Sequence, residues 1–569
     1  MQQFLDAVRD ALIAETGIDP DAVRLETPRD ASMGDIAFPC FVLAKQLKSA
    51  PPKIAGELEG KLNARLEGIT AKATGPFLNF TVEPTLLASS ILAQVDEQGT
   101  AYGGSDEGQG KTIVIDLSSP NIAKPMSVGH LRSTVIGAAI QRLHTALGYK
   151  TVGINHIGDW GSQFGKLVAA VDRWGGTVDL ETDPIKALLA LYVRYHEEEE
   201  SDPELKQAGR DAFKELESGE DGHVRATWRH LTQLSLSEFD KIYDRLGVHF
   251  DEVRGEAFYE SHLEATVERI VAAGITEESE GALIVRLDEF GEDIPPCLLR
   301  KTDGTTLYAT RDLAAAFHRW ELYGFERSLY VVGGDQRLHF RQLKHVLARM
   351  GLDWEPRMEH IDFGMMRLPE GKMSTREGRV VFLEDVLDEA AAEADKVIAE
   401  KNPDLEGREQ VAEMVGVGAV VFNDLKRERV KDVEFVWSEI LSFEGDTGPY
   451  VQYTHARLAS ILRKGAAEQA ELDSVPAPDW SSLNEASPIL GKLGRFNAVL
   501  SRAARNAEPS ELTTYALGLC RDTNTWIAKE RVLGQAPEVT AARLAFVDGV
   551  RQVLANALSI LGVGAPQRM

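Results

Sequence analysis

Cysteine is nearly absent: Cys40, Cys297 and Cys520 stand far apart among 569 residues, with no C-x-x-C pair. That excludes a disulfide framework and a cysteine-type zinc site, and it predicts a reducing, cytoplasmic setting. Positive charge is also short. Sixty-two Lys and Arg against 89 Asp and Glu leave a net charge of −27, so a polyanion is repelled at long range unless basic residues cluster locally. Indiscriminate nucleic-acid binding is excluded. No apolar run reaches the ~18 residues that a membrane helix needs. The opening MQQFLDAVRDALIAE carries acids at a helical period in place of the apolar centre of a signal peptide. Neither a membrane span nor export is expected, and no internal repeat of fixed period is visible. What is present, 43% hydrophobic and 27% charged residues with 49 Gly and 23 Pro, belongs to a folded globular chain. At ~100–200 residues per domain the length predicts three or four folding units.

The apolar spacing predicts helices from Phe4 to about Glu15 and from Phe38 to Leu47. A break at Pro51 and Pro52, a helix to about Leu66 and a short strand PFLNFTV follow. This α+β unit, 1–98, ends at GTAYGGSDEGQGK, which has a linker's composition. Next, TIVIDLSS reads as a buried strand, and apolar residues four apart from Val135 to Leu147 predict a helix. TVGINHI then reads as a second strand, completing a βαβ unit with a nucleotide-binding turn at its first crossover. Residues 172–280 read as a mostly helical insertion, and its acidic run HEEEESDPE as solvated surface. The α/β pattern resumes at IVRLD, CLLRK, SLYVVGGD and HIDFGMM. From about Leu383 strand signals fade and helices dominate, with APDWSSLNEASP read as a loop. The expected fold class is α/β: a Rossmann-like parallel-sheet domain over 111–382 with a helical insertion, an N-terminal α+β domain, and an all-α helix bundle over 383–569.

Between the first strand and its helix lies SSPNIAKPMSVGHLRSTVIG, Ser118 to Gly137. Gly129 permits close backbone approach, and the unsatisfied amides at the helix start beside His130 favour a phosphate. The string resembles the HIGH motif of class I aminoacyl-tRNA synthetases, and SSPNIAKP with LRSTVIG resembles the arginyl-tRNA synthetase form of it. Ser127 replaces the motif's first histidine. A hydroxyl can donate to a phosphate oxygen but carries no charge, so His130 is the candidate for stabilising the α-phosphoryl transition state. GKMSTREGRVVF, Gly371 to Phe382, is similar to the KMSKS loop of the same class, matching at Lys372, Met373 and Ser374 and bearing Thr375 at the second lysine position. Departing pyrophosphate needs preorganised cations. Lys124 is the expected substitute, with Arg376 as rival. The resemblance thus implies Lys124, His130 and Lys372 as catalytic, and Ser127, Gly129, His130, Lys372, Met373 and Ser374 as ATP-binding.

Arginine presents a planar fork of five donors and an α-ammonium, so its pocket needs carboxylates and amide oxygens in fixed directions. The resemblance implies Asp116, Ser118 and Asn121 near the amino-acid backbone end. It implies Tyr308, Asp312 and Gln336 around the guanidinium and its stem, and His156 of NHIGDWGSQFG in the same cavity. Such a pocket rejects uncharged analogues without editing, which agrees with the lack of a recognisable editing domain.

In LSFEGDTGPYVQYTHARLASI, Tyr450, Tyr453 and Arg457 fall at helical spacings of three and four. Aromatic and guanidinium planes stack on splayed bases, and the segment resembles the family's anticodon-binding domain. Met569 resembles a family terminus lying near the anticodon loop. ATGPFLNF resembles the family's N-terminal tRNA-binding domain and offers Phe77 and Asn79. Lys426, Arg427, Arg429 and Lys431 of NDLKRERVKD are diluted by three acids. The implied activity is arginine–tRNA ligation by a cytoplasmic monomer, with tRNA-Arg, L-arginine and ATP as partners. Mg²⁺ accompanies ATP, no zinc or other resident metal is expected, and adenylate formation requires bound tRNA. The rivals are a class I synthetase for another amino acid and a noncatalytic tRNA-binding paralogue.

Overall fold

Ile113, Val114 and Ile115 are fully buried in the strand Thr112–Asp116, the unbroken apolar run expected of a parallel strand covered on both faces. The computed structural model describes every residue except 29, 31, 32, 292, 293, 368–380, 435, 441, 443, 471–473 and 475. Its described residues form a five-stranded parallel sheet around that strand. The order is Met358–His360, Arg327–Tyr330, Thr112–Asp116, Lys150–Asn155 and Glu252–Val253. The helix Val128–Ala146 makes the first crossover. From Thr112–Asp116 the chain adds strands first on one side and later on the other, so a switch point lies at its C-terminal end, where open α/β sheets bind ligands. Asp116, Asn155 and Tyr330 end three adjacent strands at that edge.

Two expectations about the sheet are corrected. The helical insertion, Pro184–Glu198, Pro203–Ser218 and His223–Leu246, ends well before 280, because Glu252–Val253 rejoins the sheet as its edge strand. The strands in IVRLD and CLLRK belong to a separate antiparallel sheet of Thr276–Ser279, Ala282–Val285 and Cys297–Arg300. The cause is local. Glu280 and Gly281 adopt φ of 51° and 80°, closing a tight hairpin that ties Ala282–Val285 to its immediate predecessor.

The N-terminal unit packs helices Gln2–Thr16, Pro51–Asn63 and Pro84–Gln98 with an antiparallel sheet ordered Ile36–Pro39, Phe77–Val82, Ile69–Thr74. The helix expected over 38–47 is instead the end of a strand, a 3₁₀ turn Cys40–Leu43 and one helical turn Ala44–Leu47. Pairing of Phe38 with Leu78 overrides the apolar spacing. Pro51 and Pro52 open a helix, where a missing N–H costs nothing. The 99–111 segment is docked on the C-terminal helices: the Tyr102 hydroxyl donates to the Leu493 carbonyl at 3.1 Å, and Asn497 Nδ2 donates to the Gly103 carbonyl at 2.8 Å.

The C-terminal part is mostly helical rather than all-α: Val433–Glu434 is a short strand paired with Met366–Arg367, and 3₁₀ turns at Trp480–Ala486 replace the expected loop. Pro537–Leu561 is long and apolar enough to cross a membrane. Phe546, Val550, Leu554 and Leu558 on it are fully buried in the bundle core, each contributing about 1.5–3 kcal/mol. Leu383–Lys401 and Arg408–Leu425 form an antiparallel pair, and Gly448–Gln469 packs on the latter and on Pro537–Leu561.

Candidate active site

Leaving Asp116, the chain turns through Ser118, Ser119 and Ala123 in the left-handed region, at φ of 74°, 54° and 59°. Each such non-glycine residue costs of order 1 kcal/mol and persists only where its surroundings enforce it. They do so here. The Ser118 hydroxyl lies 2.8 Å from the Tyr243 hydroxyl and accepts from Thr134 Oγ1 at 2.9 Å, while Ser119 Oγ donates to Asp116 Oδ1 at 3.0 Å. Asn121, exposed, pairs by its backbone with Gly158. The turn delivers Ser127 and Gly129 to the start of the helix Val128–Ala146. The Ser127 amide donates to His130 Nδ1 at 3.0 Å, so the proton of the neutral ring sits on Nε2, as a donor. Burial, with the charge of Lys124 adding to it, holds His130 below the ordinary imidazole range. The Lys124 ammonium stands 5.5 Å over the Tyr192 ring.

Lys372, Met373, Ser374, Thr375 and Arg376 lie outside the described residues. The segments on either side of 368–380 both meet the glycine turn's helix. Downstream, the Val128 amide donates to the Val381 carbonyl at 3.3 Å and the Leu383 amide to the Met126 carbonyl at 2.8 Å. Upstream, Arg132 Nη1 donates to the Gly364 carbonyl at 2.6 Å and its guanidinium lies 5.6 Å from the Phe363 ring centre. Arg132 also donates to the carbonyls of Lys431 and Arg429, at 2.9 and 3.2 Å, and faces Asp424 at 2.9 Å. Gly364 runs so close to that segment that a Cβ would sit 2.5 Å from the Lys431 carbonyl. Arg132 and Asp424 escaped the sequence reading. Their signal is a charged residue inside each of two apolar helical runs, LRSTVIG and VVFNDL.

Across the sheet edge, Asp312 sits between two imidazoles. His339 Nε2 lies 2.5 Å from Asp312 Oδ2, and His156 Nε2 lies 3.9 Å from Oδ1. His156 Nδ1 donates to the Arg254 carbonyl at 3.0 Å. Burial alone would raise Asp312; the His339 hydrogen bond and the positive charge of His339, His156 and Arg319 outweigh it and hold the carboxyl low. Glu256, also missed from sequence, joins this group. Burial, with the charges of Asp312, Asp159 and Glu260 and against that of Arg311, pushes it up to about 7. Asp159 is pushed by burial to about 6, although the Ala257 amide donates to it at 2.8 Å.

The remaining expected residues are arranged less simply. Asp116 is engaged by Arg319 Nη2 at 2.8 Å, with the two side chains 7% and 1% exposed, so its charge is matched inside the protein. Tyr308, at the start of Asp312's helix, is 63% exposed, and Gln336 is exposed beside Asp335. The structure therefore brings His156, Asp312 and Glu256 together, and holds Asp116 and Ser118 in the turn's supporting network. Tyr308 and Gln336 stand at the surface.

Of the expected RNA contacts, Phe77 meets the 55%-exposed Phe41 edge-on with ring centres 5.8 Å apart, whereas Asn79 is buried in the sheet. Asn524 links the second group: its amide donates to the Tyr450 hydroxyl at 3.2 Å and its oxygen accepts from Arg457 Nη1 at 3.0 Å. Tyr453 is 45% exposed, and the Lys401 ammonium lies 5.7 Å from its ring centre. Met569 is half-buried against Ala394, Ile398 and Val415, and Asn402 donates to its carbonyl. Lys426, Arg427, Lys431 and Arg502 line a groove of about 780 Å³ together with Glu428, Glu508 and Glu511. Among the described residues, no three His, Cys, Asp or Glu side chains gather as metal ligands.

Comparison with known proteins agrees along the chain. Residues 90–437 match the family described as tRNA synthetases class I (R), catalytic domain, which with the parallel sheet and its glycine turn defines the class: class I aminoacyl-tRNA synthetases. Residues 2–82 match the arginyl tRNA synthetase N terminal domain and 451–569 the DALR anticodon binding domain. The chain is 46% identical to an arginine–tRNA ligase of Exiguobacterium sibiricum over 568 residues, covering 100% of this chain and 99% of that one. It is 46% identical to that of Ligilactobacillus salivarius over 547 residues, covering 96% and 95%. It is similar in structure to Thermus thermophilus arginyl-tRNA synthetase, with a TM-score of 0.82 at 26% identity and 100% of both chains covered. The chain belongs to the arginyl-tRNA synthetase family.

Proposed function

We propose that this chain ligates L-arginine to tRNA-Arg at the C-terminal edge of the parallel sheet. In the first step an oxygen of the arginine carboxylate bonds to the ATP α-phosphorus, and the bond to the β-phosphate breaks, releasing pyrophosphate. In the second, a ribose hydroxyl at the tRNA 3′ end attacks the arginyl carbonyl and AMP departs. Both steps depend mainly on positioning and charge stabilisation. The observation that carries the reading is a pair of features tied to the strand Thr112–Asp116: a helix N-terminus with His130 as donor, and a carboxylate, Asp312, between two imidazoles on the helix whose Arg319 binds Asp116.

In this reading ATP lies over Ser127, Gly129 and His130, with His130 Nε2–H and the Lys124 ammonium at the α-phosphoryl group. Lys372, with Met373 and Ser374, acts from the segment outside the described residues. Mg²⁺ comes with ATP, held by phosphate oxygens and water, which suit a hard cation. Asp312 and Glu256 take the guanidinium, with His156, Tyr308 and Gln336 around it. Asn121 meets the amino-acid backbone end, while Asp116 and Ser118 act there through the rigid turn. Tyr450, Tyr453, Arg457 and Met569 serve the anticodon end and Phe77 with Asn79 the tRNA corner. The exposure of Tyr453 supports a direct stacking role, and the burial of Asn79 supports an indirect one. The working unit in this reading is a cytoplasmic monomer; the three free, buried thiols fit the reducing setting and do not bear on the oligomeric state.

ATP–pyrophosphate exchange, run with and without tRNA, tests the reading. Exchange supported by arginine is expected, and greater with tRNA. Exchange driven by another amino acid, or tRNA binding without exchange, contradicts it.

A further inference from the structure

We propose that His339 is a positioning residue of the arginine pocket: it fixes one oxygen of Asp312 so that the other is presented to the guanidinium. The inference rests on the reading that Asp312 takes that guanidinium. Asp312 projects from the helix Tyr308–Tyr323 and His339 from the first turn of Arg337–Arg349, so the contact joins two helices. Nε2 to Oδ2 is 2.5 Å. The helix bearing His339 is itself seated: the next residue, Phe340, is 7% exposed, stacks on His360 at 4.4 Å and lies 5.2 Å from Tyr330, at the end of a sheet strand.

The second oxygen is differently placed. Asp312 Oδ1 has His156 Nε2 at 3.9 Å, beyond hydrogen-bond reach. His156 Nδ1 is engaged with the Arg254 carbonyl, and its Nε2 makes no hydrogen bond to that oxygen. The Asp312 side chain is 27% exposed, and with Oδ2 taken by His339 the incoming donor is assigned to Oδ1. A guanidinium offers its N–H groups in one rigid plane, whereas an ammonium is a point charge with rotatable donors. A carboxylate held in one orientation presents Oδ1 to that plane from a fixed direction. His339 therefore contributes to arginine affinity without touching the substrate.

The experiment is calorimetric titration of the full chain with L-arginine, together with exchange kinetics for arginine and ATP. H339A is expected to weaken arginine about ten- to a hundredfold while the KM for ATP stays nearly constant. H339Q, whose amide nitrogen reaches the position of Nε2, is expected to regain most of the loss. In the D312N background, H339A is expected to cost little more, since there is no carboxylate left to orient. The proposal is overturned if H339A binds arginine like the wild type, or if its cost is undiminished on top of D312N. It is also overturned if H339A damages ATP and arginine binding alike and H339Q restores neither. Wild-type arginine affinity in D312N is a separate outcome, rejecting the pocket assignment of Asp312.

Discussion

Arg132 and Asp424, far apart in the chain, meet as an ion pair at 2.9 Å with both side chains 1% exposed. One belongs to the helix that starts at the glycine turn, two residues beyond His130; the other ends the helix Arg408–Leu425 of the C-terminal part. With the Gly364, Arg429 and Lys431 carbonyls also bound to Arg132, a single guanidinium fastens three separate stretches of chain around the site. Burial pushes Asp424 up, against the opposing pull of Arg132. A lone charge left in such a place is expensive.

Truncating one partner should therefore destabilise strongly. D424A is expected to lose about 3–5 kcal/mol by urea denaturation, whereas replacing both partners with apolar residues of similar volume should recover much of it. A loss under about 1 kcal/mol in D424A would show that water replaces the carboxylate and the clasp matters little.

Arginine affinity should depend on pH through Glu256. Its carboxyl is raised to about 7, so it is mostly neutral below that pH and ionised above it, and only the ionised form adds to the attraction for a guanidinium. Affinity is expected to rise about three- to tenfold from roughly pH 6 to roughly pH 8. E256Q should flatten the profile, and calorimetric titration at three pH values checks both. An unchanged slope in E256Q would assign the proton elsewhere.

Acid stability should depend on His144. Burial, with the charge of Arg327 adding to it, lowers this ring from 6.5 to about 4 despite its hydrogen bond with the Ile140 carbonyl. The folded state thus prefers neutral imidazole. Above the unfolded value nothing changes; as pH falls from 6.5 through 4, the unfolded chain takes up the proton first and about 3 kcal/mol of stability is lost. Denaturation midpoints across that window should lose this slope in H144L. A slope retained in that variant would contradict the assignment.

Much of the architecture was legible because it follows from periodicity. The unbroken apolar run of Thr112–Asp116, the amphipathic crossover helix and the mostly helical tail each express burial directly. What failed was pairing. Ile36–Pro39 and Ala282–Val285 owe their conformation and partners to contacts that spacing does not encode. The site was partly legible for the same reason: His130, His156 and Asp312 sit in recognisable strings, and the resemblance supplied their roles. His339 lay beside such a string and Glu256 inside the region read only as helical insertion, both unnoticed, because only the fold brings their elements to Asp312. Asp116 was expected at the amino-acid backbone end, and its ion pair went unforeseen because its partner Arg319 is distant in sequence.

Contact with the tRNA should divide by exposure. Y453A is expected to weaken tRNA about ten- to a hundredfold, the usual loss for a stacked base, and more than it weakens ATP. Y450A should also lower stability, since its hydroxyl accepts from Asn524 and its ring is partly buried. Filter binding and thermal denaturation separate the two. Equal tRNA loss with no stability difference would contradict the division.

The most direct test of the central claim is the KM for arginine in tRNA-supported ATP–pyrophosphate exchange, compared between the wild type and D312N. Loss of a charged hydrogen-bond partner for the guanidinium predicts an increase of at least about thirtyfold, with the KM for ATP within about twofold. An arginine KM equal to that of the wild type would contradict the account.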